Sequence, residues 1–482
     1  MAIISRKDFN ELTNAIYDSL NEKLSKFLEI STIPGSTYDC LSFMEIISRE
    51  CEKFIRNLIV KLIETADLEF RNSIGRSKRY YVKQTRPRTI VCMFGAITFI
   101  RTEYTDRLDD SSYVYIDSKL HLESRQRYWH DVRARVISTY ADSKSMIEVG
   151  RNIGDIIESK YHNGNPNDFM IPRQTIQKIL KGTKEIRVLS SEKSEIDILN
   201  ILMDEKWIPG QHNEDENGEN KSLMSKSSLI FEDYLKADKS PTKRPMYDNT
   251  TYYSSYNKDF SSELLELLDS KYDLSKVKQI NIMSDGASWI NTVAEDLKLP
   301  GVTVYKGLCP YHTGKSLDKI TRDDNIYDKA YEYLLNKDLK NFDELIKAIK
   351  KENPNKEATI DESAKYLKNH VDEIITIKKI IKLPCAMEQV ISHHLASEFT
   401  CVAKAYSPKN INYYLSIRDA FRNNYNLKLI YAKANDLKKE DEDVIKINKN
   451  ELDLSFFDNQ SPLPYYQFKI NDNSQKFKLF NH

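Results

Sequence analysis

Val277-Lys278-Gln279-Ile280-Asn281-Ile282-Met283-Ser284-Asp285-Gly286 is an apolar run that stops on an acid and a glycine. A second run of the same kind lies upstream, Ile196-Asp197-Ile198-Leu199-Asn200-Ile201-Leu202-Met203-Asp204. Short apolar runs of this kind read as strands buried on both faces. Between them, residues 222–235 and 246–256 supply two further strands, the second rich in Tyr and Thr, after a polar turn at 212–220. Residues 258–272 carry helical periodicity, a helix follows from Ala287, and Val302–Tyr305 is another strand. Strands alternating with helices predict a mixed α+β or α/β fold with a mixed sheet.

The two runs place Asp204 and Asp285 at strand ends, 81 residues apart (285 − 204). Ligand chemistry in such sheets gathers at strand ends, where loops and helix starts converge. A lone acid there is usually a cap or a surface group, but two in one sheet suggest a site. A third candidate is Glu388, expected one turn inside a helix begun at Pro384, with Met387, Val390, Ile391 and Leu395 as its buried stripe. Three carboxylates suit hard divalent cations.

Upstream the reading changes. Residues 1–72 are helical, with Phe43, Ile46, Ile47, Cys51, Phe54, Ile55, Leu58 and Ile59 on one face. Residues 71–101 hold Arg71, Arg76, Lys78, Arg79, Lys83, Arg86, Arg88 and Arg101 without an acid, interleaved with Tyr80 and Tyr81. A β-hairpin turning at Phe94-Gly95-Ala96 is expected there. An exposed basic stretch beside a hairpin can neutralise phosphates. Farther on, 141–157 opens a helix-turn-helix pattern, and Pro172 starts a second helix bearing Arg173, Gln174, Thr175 and Lys178, suited to a DNA groove.

Several stretches occur in the order of a known family. Asp285-Gly286-Ala287-Ser288-Trp289-Ile290 resembles the D-G-A-x-W-I signature of the Lre-type bacterial insertion-sequence transposases, long catalogued as an uncharacterised protein family. Arg88-Thr89 through Phe94-Gly95 to Arg101-Thr102-Glu103-Tyr104, Pro172-Arg173-Gln174-Thr175, Asp204-Glu205 with Gln211, and Glu388-x-x-Ile391-Ser392-His393 are similar to its other motifs. The resemblance runs from about residue 70 to 425. It implies a DDE transposase of Mutator-like kinship, with Asp204, Asp285 and Glu388 catalytic and holding two Mg²⁺ or Mn²⁺ ions. Cys309-Pro310-Tyr311-His312 matches the [C or D]-x-x-H motif of the broader group, which implies that His312 positions a phosphate or a flipped strand end. Two other readings of Cys309 and His312 stay open: a buried thiol and a satisfied histidine, or a zinc site with Cys385 or His393. One departure is Glu398, where the family usually has Arg.

The implied organisation has seven parts: a helical region (1–70), a basic β-hairpin region (71–124), a helix-turn-helix-like DNA-binding region (125–190), and an RNase H-like core (191–312 and 384–430) interrupted by a helical insertion (313–383), then a tail (431–482). The implied partners are double-stranded DNA, as element ends and target, and further copies of the chain assembled on it. Two rivals are a transposon-derived DNA-binding protein without catalysis and a metal-dependent nuclease without strand transfer.

Composition limits these readings. Lys plus Arg and Asp plus Glu are both 72 in 482 residues, so affinity for DNA has to come from local basic patches. Six cysteines without a CxxC pair argue against a disulfide framework or a four-cysteine zinc site. The N-terminus lacks the apolar run of a signal peptide, and no segment reaches the roughly 18 apolar residues of a membrane span. A cytoplasmic, nucleoid-associated bacterial protein is expected.

Overall fold

The computed structural model describes residues 5–30, 37–143, 145–158, 170–216, 218–241, 246–400, 404–437 and 444–452. It is a mixed α+β protein built around a five-stranded sheet. The sheet's strands, in chain order, are Ile198–Ile208, Leu223–Phe231, Thr251–Ser255, Gln279–Ser284 and Thr303–Leu308. In space they run fifth, fourth, first, second, third. The first, fourth and fifth are parallel, and the second and third pair antiparallel.

Register turns this order into a site. Ser284 on the fourth strand lies opposite Met203 on the first and Leu308 on the fifth. Asp204, Asp285 and Cys309 each follow by one residue, so they stand level on three adjacent strands. Asp285 and Cys309 lie just past their strand ends, but the first strand, expected to end on Asp204, runs on to Ile208 because it keeps pairing with the second. Side chains alternate across a strand. Leu199, Ile201 and Met203 pack with Ile280 and Ile282 against helices Phe260–Lys271 and Ser288–Asp296. Leu202 and Met283 go to the other face, beneath Met387, Ile391 and Leu395. Asp204 and Asp285 share the parity of Leu202 and Met283, so both belong to the face covered by the Glu388 segment.

The insertion has its own core. Helices Pro310–Ile320, Asp324–Leu335, Leu339–Glu352, Glu357–Asn369 and Val371–Thr376 enclose Leu317, Phe342, Ile346, Ile360 and Leu367. The first of them starts at Pro310, directly after the fifth strand, rather than at 313. The Glu388 helix is shorter than the periodicity predicted. It spans Met387–Ile391, and one π turn, Ser392–Ala396, follows. Glu388 is therefore its second residue.

Before the sheet, a long helix, Thr37–Asn72, packs on a hairpin of Tyr80–Cys92 and Gly95–Asp106. The basic run is divided among these elements. Arg71 lies in the last turn of the long helix, Arg76, Lys78 and Arg79 in the short helix Ile74–Arg79, Lys83, Arg86 and Arg88 in the first hairpin strand, and Arg101 in the second. Three helices follow, His130–Tyr140, Met146–Glu158 and Arg173–Gly182. A Cβ on Gly150 would lie 2.4 Å from the Ile171 carbonyl, so glycine permits the second and third to approach. Val444–Asn448, in the stretch read as a polar tail, pairs in parallel with Glu185–Leu189. The aromatic stretch Leu463-Pro464-Tyr465-Tyr466-Gln467-Phe468 lies outside the described residues. Among those described, no helix is long and apolar enough to cross a membrane.

Candidate metal centre

Asp204, Glu205 and Asp285 place carboxylate oxygens within 4.8 Å of one another. Asp204 is 9% exposed. Burial first, and then the charge of Asp285, push its carboxyl up to about 7. Its Oδ1 accepts from the Glu205 amide at 2.8 Å. Asp285 leads into the next helix, its Oδ1 accepting from the Ala287 amide at 3.0 Å. The insertion clamps the same turn, because Tyr366 donates to the Asp285 carbonyl at 2.6 Å.

The remaining signature residues each serve this turn. Gly286 has φ +87°, and a Cβ there would sit 2.6 Å from the His370 ring. Gly286→Ala is expected to cost more than about 2 kcal/mol, because a left-handed backbone and a steric collision coincide. Denaturant unfolding of the variant would show wild-type stability if the turn were soft. Trp289 donates its indole N–H to Glu205 Oε2 at 2.7 Å. Burial raises the Glu205 carboxyl, and that indole bond opposes the rise. On the far side Lys226 lies over the Trp289 ring, 5.4 Å from its centroid.

Glu388 stands beside this trio rather than within it. Its Oε1 is 3.2 Å from His312 Nε2, and its side chain is 45% exposed. Its charge still contributes to the rise at Asp204. His312 is held above its ordinary range, chiefly by Cys309 and then by Asp285 and Glu388. Cys309 caps the helix that carries His312, and its thiol lies beside Cys385. The only group of three or more metal-binding side chains among the described residues is the acidic one, so a zinc site at Cys309 is not formed. The donors present are all hard oxygens crowded at low dielectric, and they fit Mg²⁺ or Mn²⁺ better than a soft metal.

The family model of UPF0236, an uncharacterised protein family, matches residues 37–424. The chain belongs to UPF0236. Two UPF0236 proteins of Caldanaerobacter subterraneus subsp. tengcongensis are each 24% identical to it over 408 residues. The alignments cover 80% of this chain and 79% and 75% of those relatives. A third from the same organism, its name joining eleven gene labels, is 23% identical over 406 residues, covering 80% of this chain and 79% of its own.

The UPF0236 match spans the basic hairpin, where the structure divides the cations. Arg88 is turned inward, donating to Asp117 at 2.6 Å and to the carbonyls of Glu123 and Gln126. Arg101 shares Asp117. Arg76 closes the preceding turn on the Arg71 carbonyl. Arg79 pairs with Asp106 and Lys83 with Glu103, yet both keep about half or more of their side chains in solvent. Arg86 and Lys78 are exposed. Arg88→Ala is therefore expected to cost about 3 kcal/mol of stability, as for a broken buried ion pair. If the exposed cations bind DNA, the folded variant should show the wild-type salt dependence. Normal stability with a reduced salt slope in a gel-shift series would contradict this.

Arg173, Gln174 and Lys178 lie on the exposed face of their helix, with Ile176, Ile179 and Leu180 inward. Gln174 and Lys178 line a cleft of about 330 Å³ with Arg125, Arg127 and Arg133. The sequence offered Arg125 and Arg127 as two close basic residues, a signal too weak to single out. Ser392 and His393 face outward. The neighbouring His394 is the buried one, bonded to Asp419 at 2.7 Å and Ser254 at 3.2 Å. It is a core group, and the motif gave no sign of it. The side chain of Glu398 lies outside the described residues.

Proposed function

We propose that this UPF0236 chain is a DDE-type transposase, cleaving DNA at the ends of a mobile element and joining those ends to target DNA. The observation that carries this reading is the convergence of Asp204, Glu205 and Asp285 at one level of neighbouring parallel strands, with Glu388 and His312 alongside. The sheet order supports an RNase H-like core. The first acid is on the first strand, the second follows the fourth, and the glutamate returns after a helical insertion. A relative named for eleven gene labels in one organism is what a mobile element present in many copies would give.

Asp204 and Asp285 would hold the ions, with Glu205 steered toward them by Trp289 and Glu388 closing the exposed side. Divalent cations bound there would activate an attacking water or 3′-hydroxyl and steady the leaving 3′-oxygen. His312, whose hold on a proton Cys309 and the acids strengthen, would when protonated present a positive N–H to a phosphate oxygen on the open side. The exposed cations Lys78, Arg79, Lys83 and Arg86, with the Arg125–Lys178 cleft, hold the duplex.

Two measurements test this. Terbium(III), a hard-oxygen probe, should luminesce when excited through Trp289 and be displaced by Mn²⁺. A DNA carrying the sequences that flank the gene should be nicked with Mg²⁺ and yield joined products. Nicking without joining would leave a nuclease, and binding without nicking would leave a DNA-binding protein.

A further inference from the structure

Cys309 and Cys385 are far apart in the chain and meet beside the acids. Cys309 is 1% exposed and ends the fifth strand, at the start of the Pro310–Ile320 helix. Cys385 is partly exposed and lies three residues before Glu388. The Cys309 Sγ is 3.8 Å from the Cys385 carbonyl oxygen, so the two cysteines are neighbours in space. The two flanks of Cys385 are pinned by one hydroxyl, since Tyr247 donates to the Pro384 carbonyl at 3.1 Å and accepts from the Ala386 amide at 3.0 Å. Both thiols are free.

The proposed chemistry uses Cys309 only through its contact with His312 and makes no use of Cys385. Their surroundings favour reaction. A helix N-terminus and the His312 ring face Cys309, and such electropositive settings favour thiolate over thiol. We propose that Cys309 and Cys385 form a reversible disulfide on exposure to a peroxide, and that this bond switches off the neighbouring metal centre. The first half stands on the approach of Cys309 to Cys385, and the second rests on the function proposed above.

The chemistry balances with hydrogen peroxide as the two-electron oxidant. The Cys309 thiolate attacks the O–O bond, giving a sulfenic acid and hydroxide, which takes up the thiol proton as water. The Cys385 sulfur then displaces the sulfenic hydroxyl, which leaves with the second thiol proton as a second water. Two thiols and one peroxide become one disulfide and two waters.

The consequence follows from lengths. A disulfide holds its sulfurs about 2.05 Å apart, well inside the reach of a thiol–thiol contact. Closing that gap draws the 384–386 segment toward the fifth strand, with Glu388 one turn downstream. It also takes the Cys309 sulfur away from His312. A displacement of about 1 Å at a catalytic group can cost about 100-fold in rate.

The test uses the full chain. After peroxide treatment, remaining thiols are alkylated and the digest is mapped by mass spectrometry. The expected product is a Cys309–Cys385 cross-linked peptide, lost on dithiothreitol. Alkylation of both cysteines, sulfinic acid at either, or a bond from either to another cysteine would overturn the proposal. On wild type, oxidation should lower Mg²⁺ cleavage about 100-fold and weaken terbium binding, with dithiothreitol restoring both. Cys385→Ser should keep basal cleavage and, under peroxide, form no cross-link, stopping at the Cys309 sulfenic acid. A cross-link that forms while cleavage and terbium binding stay unchanged would overturn the switch alone. A cross-link that weakens terbium binding in a protein without nicking activity would instead count against the transposase reading.

Discussion

Asp285→Asn should lower DNA cleavage by at least about a thousandfold while leaving binding to element ends nearly intact. Asparagine keeps the size of aspartate, and its Oδ1 can still accept from the Ala287 amide. The Tyr366 bond goes to the backbone carbonyl and does not depend on the side chain. The turn should therefore survive, and only the negative charge is lost. A group that acts by holding ions for the reaction contributes to the transition state rather than to ground-state binding. The cations proposed to hold DNA lie elsewhere, on the hairpin and in the Arg125–Lys178 cleft. A gel shift and a Mg²⁺ cleavage assay on the same purified variant, with circular dichroism for folding, separate the outcomes. Cleavage at the wild-type rate by a folded variant would refute the metal mechanism. Loss of both activities would make Asp285 a docking or folding residue.

The strands that carry the acids were legible because both their faces are covered. Burial of that kind demands unbroken apolar runs, and the acids that end them stand out. The level placement of Asp204 with Asp285 was not legible, since register depends on which strands become neighbours. Glu205 was harder still. Adjacent strand residues point to opposite faces, so the sequence argues against both joining one centre. Asp285 sits just past its strand end, and the Trp289 indole fixes Glu205 within reach of it. Arg88 had a readable signal. Arg88, Ile90 and Cys92 alternate with exposed or less buried neighbours, so strand periodicity placed that arginine with the inward residues. Charge composition alone hid it among the surface cations. The Val444–Asn448 strand was invisible because its partner, Glu185–Leu189, lies far earlier in the chain.

Asp204→Asn should make the metal-free protein more stable at pH 8 while removing its response to Mn²⁺. An ordinary aspartate titrates near 3.8, and Asp204 titrates at about 7 in the folded chain. The folded state therefore binds the proton more tightly than the unfolded state. Between those two values the folded state carries more protons, so stability falls as pH rises through the window and levels off above 7. About three pH units at 1.36 kcal/mol each set an upper bound of about 4 kcal/mol. The shared repulsion with Asp285 and Glu205 leaves on the order of 2 kcal/mol for Asp204 alone. Asparagine cannot ionise, so the variant should match wild type near pH 4 and exceed it at pH 8 in a chelator. Mn²⁺ reverses the order, because an ion that binds only the folded state stabilises wild type by mass action, and the variant has lost a ligand. Thermal unfolding at both pH values, with EDTA and with Mn²⁺, reads all four conditions. Equal stabilisation of both proteins by Mn²⁺, or no gain for the variant at pH 8, would mean that Asp204 neither crowds its neighbours nor holds an ion. The electrostatic strain of the cluster and its capacity for a divalent cation are one property, since a bound ion would offset both the burial that chiefly lifts the Asp204 carboxyl and the repulsion from Asp285 that adds to it.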